Sequence, residues 1–383
     1  MVESEPIGQG LPKEPMSLLS DEKVIRGCYQ VERFLGEGAF AEVYRVKHRF
    51  MGRQAMKVFK MVGMTIEEIE EVLGEATMLS SIGHPNIIRV FDADVTETSR
   101  GMFGFFTMEY VAGGTLEQFW RSHGSRYVAV ETSVEIVRQV CRGLAVAHSE
   151  TPPIIHRDIK PQNILIGYDS AGLRVRVTDF GLAKRVNPLT LLASAKGTRC
   201  FKAPEVFQNP QGDSAAGDVW AIGSTLYLLL TDRLPFTDFP ALDAPADGFF
   251  EQPLILPSRL NTQADASLDR VVSRALSLDP QKRYPNAGAL LEELEKWQPR
   301  RAHQVAEAKA QPLEDTTKHA LGAVPASDGP AAASMAVEAL KLSRKPGRLG
   351  EAADLMEEAF NKNPTLRNEY EYHVRLWRKG VVC

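Results

Sequence analysis

The sequence predicts an α+β protein in which a small β-rich part with one helix precedes a larger α-helical part and a C-terminal α-helical segment. Three observations predict this order. Short runs rich in β-branched and aromatic residues, which strands favour, concentrate before residue 110. Apolar residues recur at helical spacing from about Leu116 onward. An Ala- and Pro-rich stretch without a hydrophobic period, residues 299–331, then separates this helical part from the last helices.

Composition excludes several functional classes. The hydrophobic fraction of 44% and the charged fraction of 25% are ordinary for a globular protein. A formal net charge of -4 gives no basic field for nucleic acid or an anionic membrane, so neither partner is expected. The longest apolar stretch, residues 220–230, is too short for a membrane span. The four scattered cysteines predict no zinc site or disulfide framework, and a cytoplasmic location is expected.

The changes in pattern along the chain predict its domain boundaries. The first residues are polar and contain Pro and Gly, which is typical of a flexible segment. The last residues show two helical patterns around a Pro-Gly turn, with a further helix possible after them. The predicted boundaries are a flexible leader (1–26), a main domain (27–298) made of a first part (27–110) and a second part (111–298), a linker (299–331) and a helical tail (332–383).

The stretch LGEGAFAEV, residues 35–43, lies between two predicted strands. Its glycines let the backbone turn tightly and approach a bound group closely. No helix follows, which disfavours a dinucleotide-binding loop, and the Gly-Lys-Ser/Thr ending of a P-loop is missing. Taken alone, the stretch fits either a structural hairpin turn or a phosphate-binding loop.

Lys57 and Asp179 are charged residues that lie inside a predicted strand or directly after one. Lys57 lies inside an apolar strand, where a lysine needs either solvent at a sheet edge or an anionic partner. Glu75, on the helix that apolar spacing predicts for residues 66–79, is a candidate partner. Asp179 directly follows a β-type run and precedes Phe-Gly. It is either a turn former or a hard oxygen ligand that suits Mg²⁺.

The stretch HRDIKPQN, residues 156–163, places an acid between an arginine and a lysine. Alone, it fits a charged turn before a short strand as well as a catalytic loop. However, the glycine-rich stretch, the strand lysine, the helix glutamate, HRDIKPQN, Asp-Phe-Gly and Ala-Pro-Glu (203–205) occur together in this order. This order resembles the eukaryotic-type (Hanks-type) protein kinases over residues 29–297. Lys160 and the Gly-Thr pair at 197–198 resemble the serine/threonine kinases, and the loop style resembles their bacterial members.

The resemblance implies a bilobal protein kinase fold with residues 27–110 as the N-lobe and residues 111–298 as the C-lobe. It implies that Asp158 accepts or orients the proton of the attacking hydroxyl, while Lys160 neutralises charge on the transferring phosphoryl group. Asp218 would anchor the catalytic loop from a buried helix. The residues that the resemblance assigns to catalysis are Asp158, Lys160, Asn163, Lys57 and Glu75.

ATP and Mg²⁺ are the cofactors that the resemblance implies. Asn163 and Asp179 would hold the metal, and Lys57, held by Glu75, would pair the α- and β-phosphates. The third glycine of the family's loop is replaced by Ala41, which leaves the first two glycines in place. The residues assigned to nucleotide binding are Leu35, Gly36, Gly38, Val43, Ala55, Lys57, Met108, Glu109, Val111, Leu165 and Asp179.

The resemblance also suggests how activity is controlled. Arg157 precedes Asp158, and in this family such an arginine often binds a phosphate on the activation segment, here residues 179–205. Thr190 and Ser194 are the candidate autophosphorylation sites, whereas Thr198 fits the substrate platform. The alternative is that Arg157 only packs. The expected partners include a transient homodimer in which one copy phosphorylates the other, although the sequence does not decide whether two copies must meet.

The tail spacing of Ala352, Ala359 and Pro364 resembles the second helix and exit of a tetratricopeptide repeat. Such a unit cannot bury its apolar face alone. The tail therefore packs on the main domain, docks a protein partner, or belongs to a longer array.

The predicted function is a serine/threonine protein kinase that transfers the γ-phosphoryl group of ATP to Ser/Thr hydroxyls of protein substrates. The alternatives are a nucleotide-binding pseudokinase and an adaptor scaffold that acts through the tail. The presence of Lys57, Asp158, Asn163 and Asp179 favours the active enzyme.

Overall fold

A computed structural model describes much of the chain, in two compact units. The N-terminal unit comprises Met1–Ala76 and Val90–Tyr110, and the C-terminal unit comprises Thr77–Arg89 and Val111–Cys383. The predicted α+β class, a β-rich part followed by a helical part, is confirmed. The described residues are 17–38, 41–60, 73–74, 82–98, 101–123, 127–180, 199–209, 212–236, 250, 252–299, 329–345 and 347–381.

The N-terminal unit is built on an antiparallel six-stranded sheet of order β1-β2-β3-β4-β6-β5. One face carries a core that includes Tyr44, Met56 and Phe105, which are inaccessible to solvent. Because successive side chains point to opposite faces, Val43, Lys57 and Phe106 lie on the other face. The strands are β1 (Val24–Ile25), β2 (Tyr29–Glu37), β3 (Ala41–His48), β4 (Gly52–Phe59), β5 (Val90–Thr98) and β6 (Gly101–Glu109).

The flexible leader predicted for residues 1–26 is too long. Leu19 is 1% exposed and belongs to the core of the sheet, and its backbone N–H donates to the Tyr44 hydroxyl at 3.0 Å. The Leu18 N–H donates to Glu42 Oε2 at 2.8 Å. Leu18, Leu19 and Ile25 bury apolar surface without any regular period, so periodicity did not reveal them.

We expect Leu19→Ala to lower the free energy of unfolding by about 3 kcal/mol, because it removes a buried side chain and leaves a cavity. Urea denaturation of the full chain measures this loss. The matched control is Val24→Ala on β1, whose side chain is 58% exposed and should change stability by less than about 0.5 kcal/mol. A loss below about 1 kcal/mol for Leu19→Ala would show that this segment does not anchor the sheet.

The C-terminal unit is helical, with one β-hairpin of β7 (Ile164–Asp169) and β8 (Gly172–Val177). The buried helix expected to carry Asp218 is confirmed as α4 (Ala215–Thr231), in which every residue from Asp218 to Thr231 is buried. The helical spacing expected from about Leu116 onward is also present in the later helices of this unit. The helices are α1 (Leu116–Arg121), α2 (Val130–Ser149), α3 (Pro204–Gln208), α4 (Ala215–Thr231), α5 (Pro257–Leu260), α6 (Ala266–Ala275) and α7 (Ala287–Lys296).

The segment just before β5 groups with the C-terminal unit, although the sequence assigned residues 27–110 to one lobe. The Asn86 amide donates to Gln139 Oε1 at 3.0 Å and to the Val175 carbonyl at 2.9 Å. The Ile88 N–H donates to the Val177 carbonyl at 2.9 Å. These hydrogen bonds join the segment to residues of the C-terminal unit that are distant in the sequence, and this explains why the segment belongs to that unit. Of the helix predicted for residues 66–79, only Leu73 and Gly74 are described, and both are helical.

The tail forms three helices, α8 (Gly329–Ser343), α9 (Leu349–Lys362) and α10 (Thr365–Arg378). Helix α8 begins inside the linker predicted for residues 299–331. Pro330 is its second residue and does not prevent this start, because proline is tolerated in the first turn of a helix. Buried alanines of α8 and α9, with Phe360 and Trp377, share an apolar cluster with Tyr168 of β7. The tail therefore packs on the C-terminal unit, as one of the three alternatives expected. In the described part of the chain, no helix is long and apolar enough to cross a membrane.

Candidate active site

A buried carboxylate on α4 fixes the backbone of the predicted catalytic loop. Asp218 Oδ2 accepts from the His156 N–H at 2.7 Å, and Oδ1 accepts from the Arg157 N–H at 2.8 Å. His148 Nε2 lies 3.0 Å from Oδ2. Burial alone would raise the pKa of Asp218, but the hydrogen bonds from His148 and from the loop backbone lower it overall, so the group stays ionised. The bonds also hold Arg157 at φ 70°, a conformation that non-glycine residues rarely adopt.

His156 connects this loop to the end of β8. Its Nδ1 accepts from the Asp158 N–H at 3.2 Å, so the proton is assigned to Nε2, which lies 2.9 Å from the Thr178 carbonyl. Burial lowers the pKa of His156, which keeps the ring neutral. The ring also packs on Phe180 with centroids 4.4 Å apart. The loop that carries Asp158 and the turn that carries Asp179 are thereby tied together.

The three residues predicted to act in the catalytic loop meet at one carboxylate. Asp158 Oδ2 lies 2.7 Å from Lys160 Nζ and accepts from Asn163 Nδ2 at 2.9 Å. Asn163 Nδ2 also donates to the Asp158 carbonyl at 2.8 Å. The Asp158 side chain keeps 17% of its surface exposed. The carboxylate is therefore held in orientation, yet remains accessible to a hydroxyl group.

Sequence reasoning missed a second cation at Asp158. Lys202 Nζ donates to the Arg157 carbonyl at 2.5 Å and lies 3.5 Å from Asp158 Oδ1. Asp158 thus lies between two ammonium groups, those of Lys160 and Lys202. The signal was a basic residue directly before Ala-Pro-Glu, but its contact with the catalytic loop depends on chain folding and not on spacing.

We expect Lys202→Met to lower kcat about 10-fold, since it removes the charged hydrogen bond to the Arg157 carbonyl, worth roughly 1.5–3 kcal/mol, and the ammonium group beside Asp158. Steady-state kinetics at saturating ATP measures the effect. Lys202→Arg should retain most of the activity, and Lys282→Met, at a side chain that is 77% exposed, serves as the control. A kcat within two-fold of wild type for Lys202→Met would remove this residue from the site.

The predicted metal ligands lie at the same end of the β7–β8 hairpin. Asn163 directly precedes β7, Asp179 follows β8 by two residues, and the adjoining residues Ile164 and Val177 are paired. The Asn163 amide nitrogen is bound to Asp158, so a cation would bind to the amide oxygen. In the described ranges, no group of three His, Cys, Asp or Glu side chains forms a metal cage. Two oxygen donors suit Mg²⁺, which usually completes its coordination with phosphates and water.

In the N-terminal unit, Lys57 is 6% exposed, and its Nζ lies 5.9 Å from the centroid of the Phe106 ring. The edge-strand alternative is therefore wrong, because Lys57 is buried on a central strand between β3 and β6. Its predicted partner Glu75 lies outside the described residues, so the pair stays a prediction.

The glycine-rich stretch has no visible structural need for its first two glycines. Neither Gly36 nor Gly38 has a positive φ. A side-chain carbon at Gly36 would meet nothing within 4 Å, and one at Gly38 would lie 3.7 Å from the Ala41 carbonyl. The described part of the chain thus supplies neither a turn nor a packing reason for glycine. Close approach of a ligand remains as the reason, and this favours the phosphate-loop interpretation.

The residues predicted to contact adenine are divided between the two units. Ala55 is paired with Met108 in the sheet of the N-terminal unit, and both are buried. Four further apolar side chains are half-buried. They are Leu35 and Val43 in that unit, and Val111 and Leu165 in the C-terminal unit. Glu109 pairs with Gln54 and ends β6, the strand that also contains Met108. Each unit therefore offers apolar contacts of the type that a nucleotide base uses.

The arginine before Asp158 has a carboxylate neighbour. Arg157 Nε lies 3.4 Å from Asp213 Oδ2, whose side chain is 12% exposed. The alternative in which Arg157 only packs is thus incomplete, because it forms an ion pair. Thr190, Ser194 and Thr198 lie outside the described residues, so the predicted phosphorylation sites stay predictions.

Comparisons with known proteins agree on one family. The protein kinase domain model matches residues 29–294. The serine/threonine-protein kinase PknB of Mycobacterium tuberculosis is 32% identical over 274 residues, 70% of this chain and 42% of that protein. The serine/threonine-protein kinase ATG1b of Arabidopsis thaliana is 34% identical over 212 residues, 55% of this chain and 29% of that protein. The alignments thus span less than half the length of these relatives.

The fold comparison points the same way. The crystal structure of the Mycobacterium tuberculosis PknI kinase domain superposes with a TM-score of 0.55 and 26% identity. The match covers 73% of this chain and 99% of that domain.

Proposed function

The chain belongs to the protein kinase family, and from this premise we propose that it is an ATP-dependent serine/threonine protein kinase. It would transfer the γ-phosphoryl group of ATP to Ser or Thr hydroxyls of protein substrates. The observation that carries the proposal is the convergence of Lys160 and Asn163 on Asp158. Serine/threonine specificity is supported by Lys160 and by relatives named as serine/threonine kinases.

In this mechanism, Asp158 accepts or orients the proton of the attacking hydroxyl, because its carboxylate is fixed and still accessible. Lys160, beside it, offsets negative charge on the transferring phosphoryl group. Asn163 and Asp179 would hold Mg²⁺, which neutralises phosphate charge when bound. Lys57 would hold the α- and β-phosphates from the N-terminal unit. Positioning and charge stabilisation carry the rate in this account.

The test is phosphate transfer from labelled MgATP by the full chain to matched Ser, Thr and Tyr peptide libraries. We expect label on Ser and Thr peptides. Label only on Tyr peptides would contradict the specificity. Nucleotide binding without any transfer would instead support the pseudokinase or adaptor alternative.

We further propose autophosphorylation at Ser194 or Thr190, through transient meeting of two copies. A phosphate there would compete with Asp213 for the Arg157 guanidinium and order the segment around it. Peptide mapping of active protein should find phosphate at one of these residues, and Ser194→Ala with Thr190→Ala should slow activation. Active protein without phosphate at either residue would contradict this proposal.

The proposal places the reaction in the cytoplasm, where ATP is abundant. Cys28 and Cys141 form no disulfide in the described part of the chain, which is compatible with that reducing compartment. Fractionation of cells that express the tagged full chain tests the location, and recovery in a secreted fraction would contradict it.

A further inference from the structure

The tail packs against the segment that directly follows β6. On one side, this segment contacts the backbone of β7. The Ile166 N–H donates to the Gly114 carbonyl at 2.8 Å, and a side-chain carbon at Gly113 would lie 2.3 Å from the Ile166 carbonyl oxygen. Only glycine permits this approach at position 113. Residues 112–114 are therefore held tightly on the β7 side.

On the other side, the same segment contacts α9 of the tail. Asn361 Nδ2 donates to the Ala112 carbonyl at 3.4 Å. If Gly114 carried a Cβ atom, that atom would lie 3.0 Å from the same nitrogen. Glu357 Oε2 would lie 3.4 Å from a side-chain carbon at Gly113. Residues 112–114 are thus enclosed between β7 and α9, and their glycines make room for both neighbours.

Glu357 belongs to a buried charge network that joins α9 and α10. It is 1% exposed, and its Oε1 accepts from Arg378 Nη2 at 2.8 Å, while the same guanidinium nitrogen lies 2.7 Å from Asp354 Oδ1. Burial raises the pKa of Glu357 to about 7, although Arg378 and the backbone N–H of Tyr168 oppose this shift. A carboxylate this costly to bury needs its neighbours in fixed positions. The network therefore gives α9 a defined place against β7.

A second buried cation joins α10 to α1, the helix after the same segment. Arg367 is 9% exposed, and its Nη1 donates to Ser122 Oγ at 2.6 Å. Its guanidinium lies over the Phe119 ring, 4.6 Å from the centroid. Ser122 is the residue that ends α1. Both the segment and the helix that follows it are thus held by the tail.

We propose that Glu357 and Asn361 are positioning residues for nucleotide binding, because they fix the backbone of residues 112–114 next to Val111. This inference rests on the proposed function, which assigns Val111 to the adenine. Asp158, in contrast, is held by Lys160, Asn163 and Lys202, and its loop by Asp218. The tail therefore sets the affinity for ATP and not the rate of phosphoryl transfer.

The experiment uses the full chain and a non-hydrolysable ATP analogue with Mg²⁺, whose Kd is measured by calorimetry. We expect Asn361→Ala and Glu357→Ala to raise this Kd, and the KM for ATP, about 5-fold, with kcat within about two-fold of wild type. Glu357→Gln, which keeps the shape and leaves Arg378 its bond to Asp354, should restore a Kd within about two-fold of wild type. Tyr372→Ala on α10, at a side chain that is 67% exposed, is the control and should change neither value.

An unchanged Kd in both alanine variants, even with a lower melting temperature, would overturn the inference and leave the tail a purely structural role. If Glu357→Ala does not fold, the half-buried Asn361, whose hydrogen bond to the Ala112 carbonyl is long, decides the outcome. Because binding is read without turnover, analogue binding by a wild-type chain that transfers no phosphate would count against the proposed function alone.

Discussion

Replacing Asp158 by asparagine is expected to lower kcat by about 10²–10⁴-fold, the usual contribution of a general base, because an amide cannot accept the proton of the hydroxyl. The amide oxygen can still accept from Lys160 and Asn163, so the loop should keep its geometry. The Kd of the ATP analogue should therefore stay within about two-fold of wild type. Steady-state kinetics and calorimetry on one preparation give both values.

The control is the same chemical change at a distant position. Asp279 caps a short helical turn, and asparagine caps as well as aspartate, so Asp279→Asn should leave kcat unchanged. If Asp158→Asn kept more than a tenth of the wild-type kcat, Asp158 would not be the catalytic base.

The largest expected effect on stability is at the ion pair between Glu205 and Arg283. The fully buried Arg283 guanidinium donates to both carboxylate oxygens of Glu205, at 2.6 and 2.7 Å, and to the Ser277 carbonyl at 2.7 Å. Removing Arg283 leaves the carboxylate of Glu205, which is 22% exposed, without its partner and also removes the bond to the Ser277 carbonyl, which together cost about 3 kcal/mol. We expect Arg283→Met to lower the melting temperature by on the order of 10 °C.

Differential scanning calorimetry of the full chain measures this shift. Arg270→Met, at an exposed position on α6, is the matched control and should shift the melting temperature by less than about 2 °C. In a double-mutant cycle with Glu205→Gln, the combined loss should be smaller than the sum of the single losses, because both remove one interaction. Strictly additive losses would show that the two side chains do not stabilise each other.

The order of the motifs along the chain was enough to predict the family, and the residues it singled out in HRDIKPQN lie together in the structure. Short spacings within one loop bring Asp158, Lys160 and Asn163 together, and the pairing of β7 with β8 brings Asn163 and Asp179 to the same end of one hairpin. The helix α4 could also be predicted, since it is apolar on every side.

Contacts between distant segments could not be predicted in this way. Lys202 approaches Asp158, and Asp213 approaches Arg157, only because the chain folds back between them. The helical spacing of the tail showed that it has an apolar face, but spacing does not identify the surface that covers this face. The structure supplies that surface, the β7–β8 hairpin with Tyr168 and Leu173.

The most direct test of an active kinase is phosphopeptide mass spectrometry after incubation of the purified full chain with MgATP, beside Asp158→Asn. The account predicts phosphate on Ser or Thr residues in the wild-type chain and none in the variant. Equal phosphate in both would contradict the role of Asp158. Absence of phosphate in both, and on every added peptide substrate, while the ATP analogue still binds, would contradict the proposed catalytic activity itself.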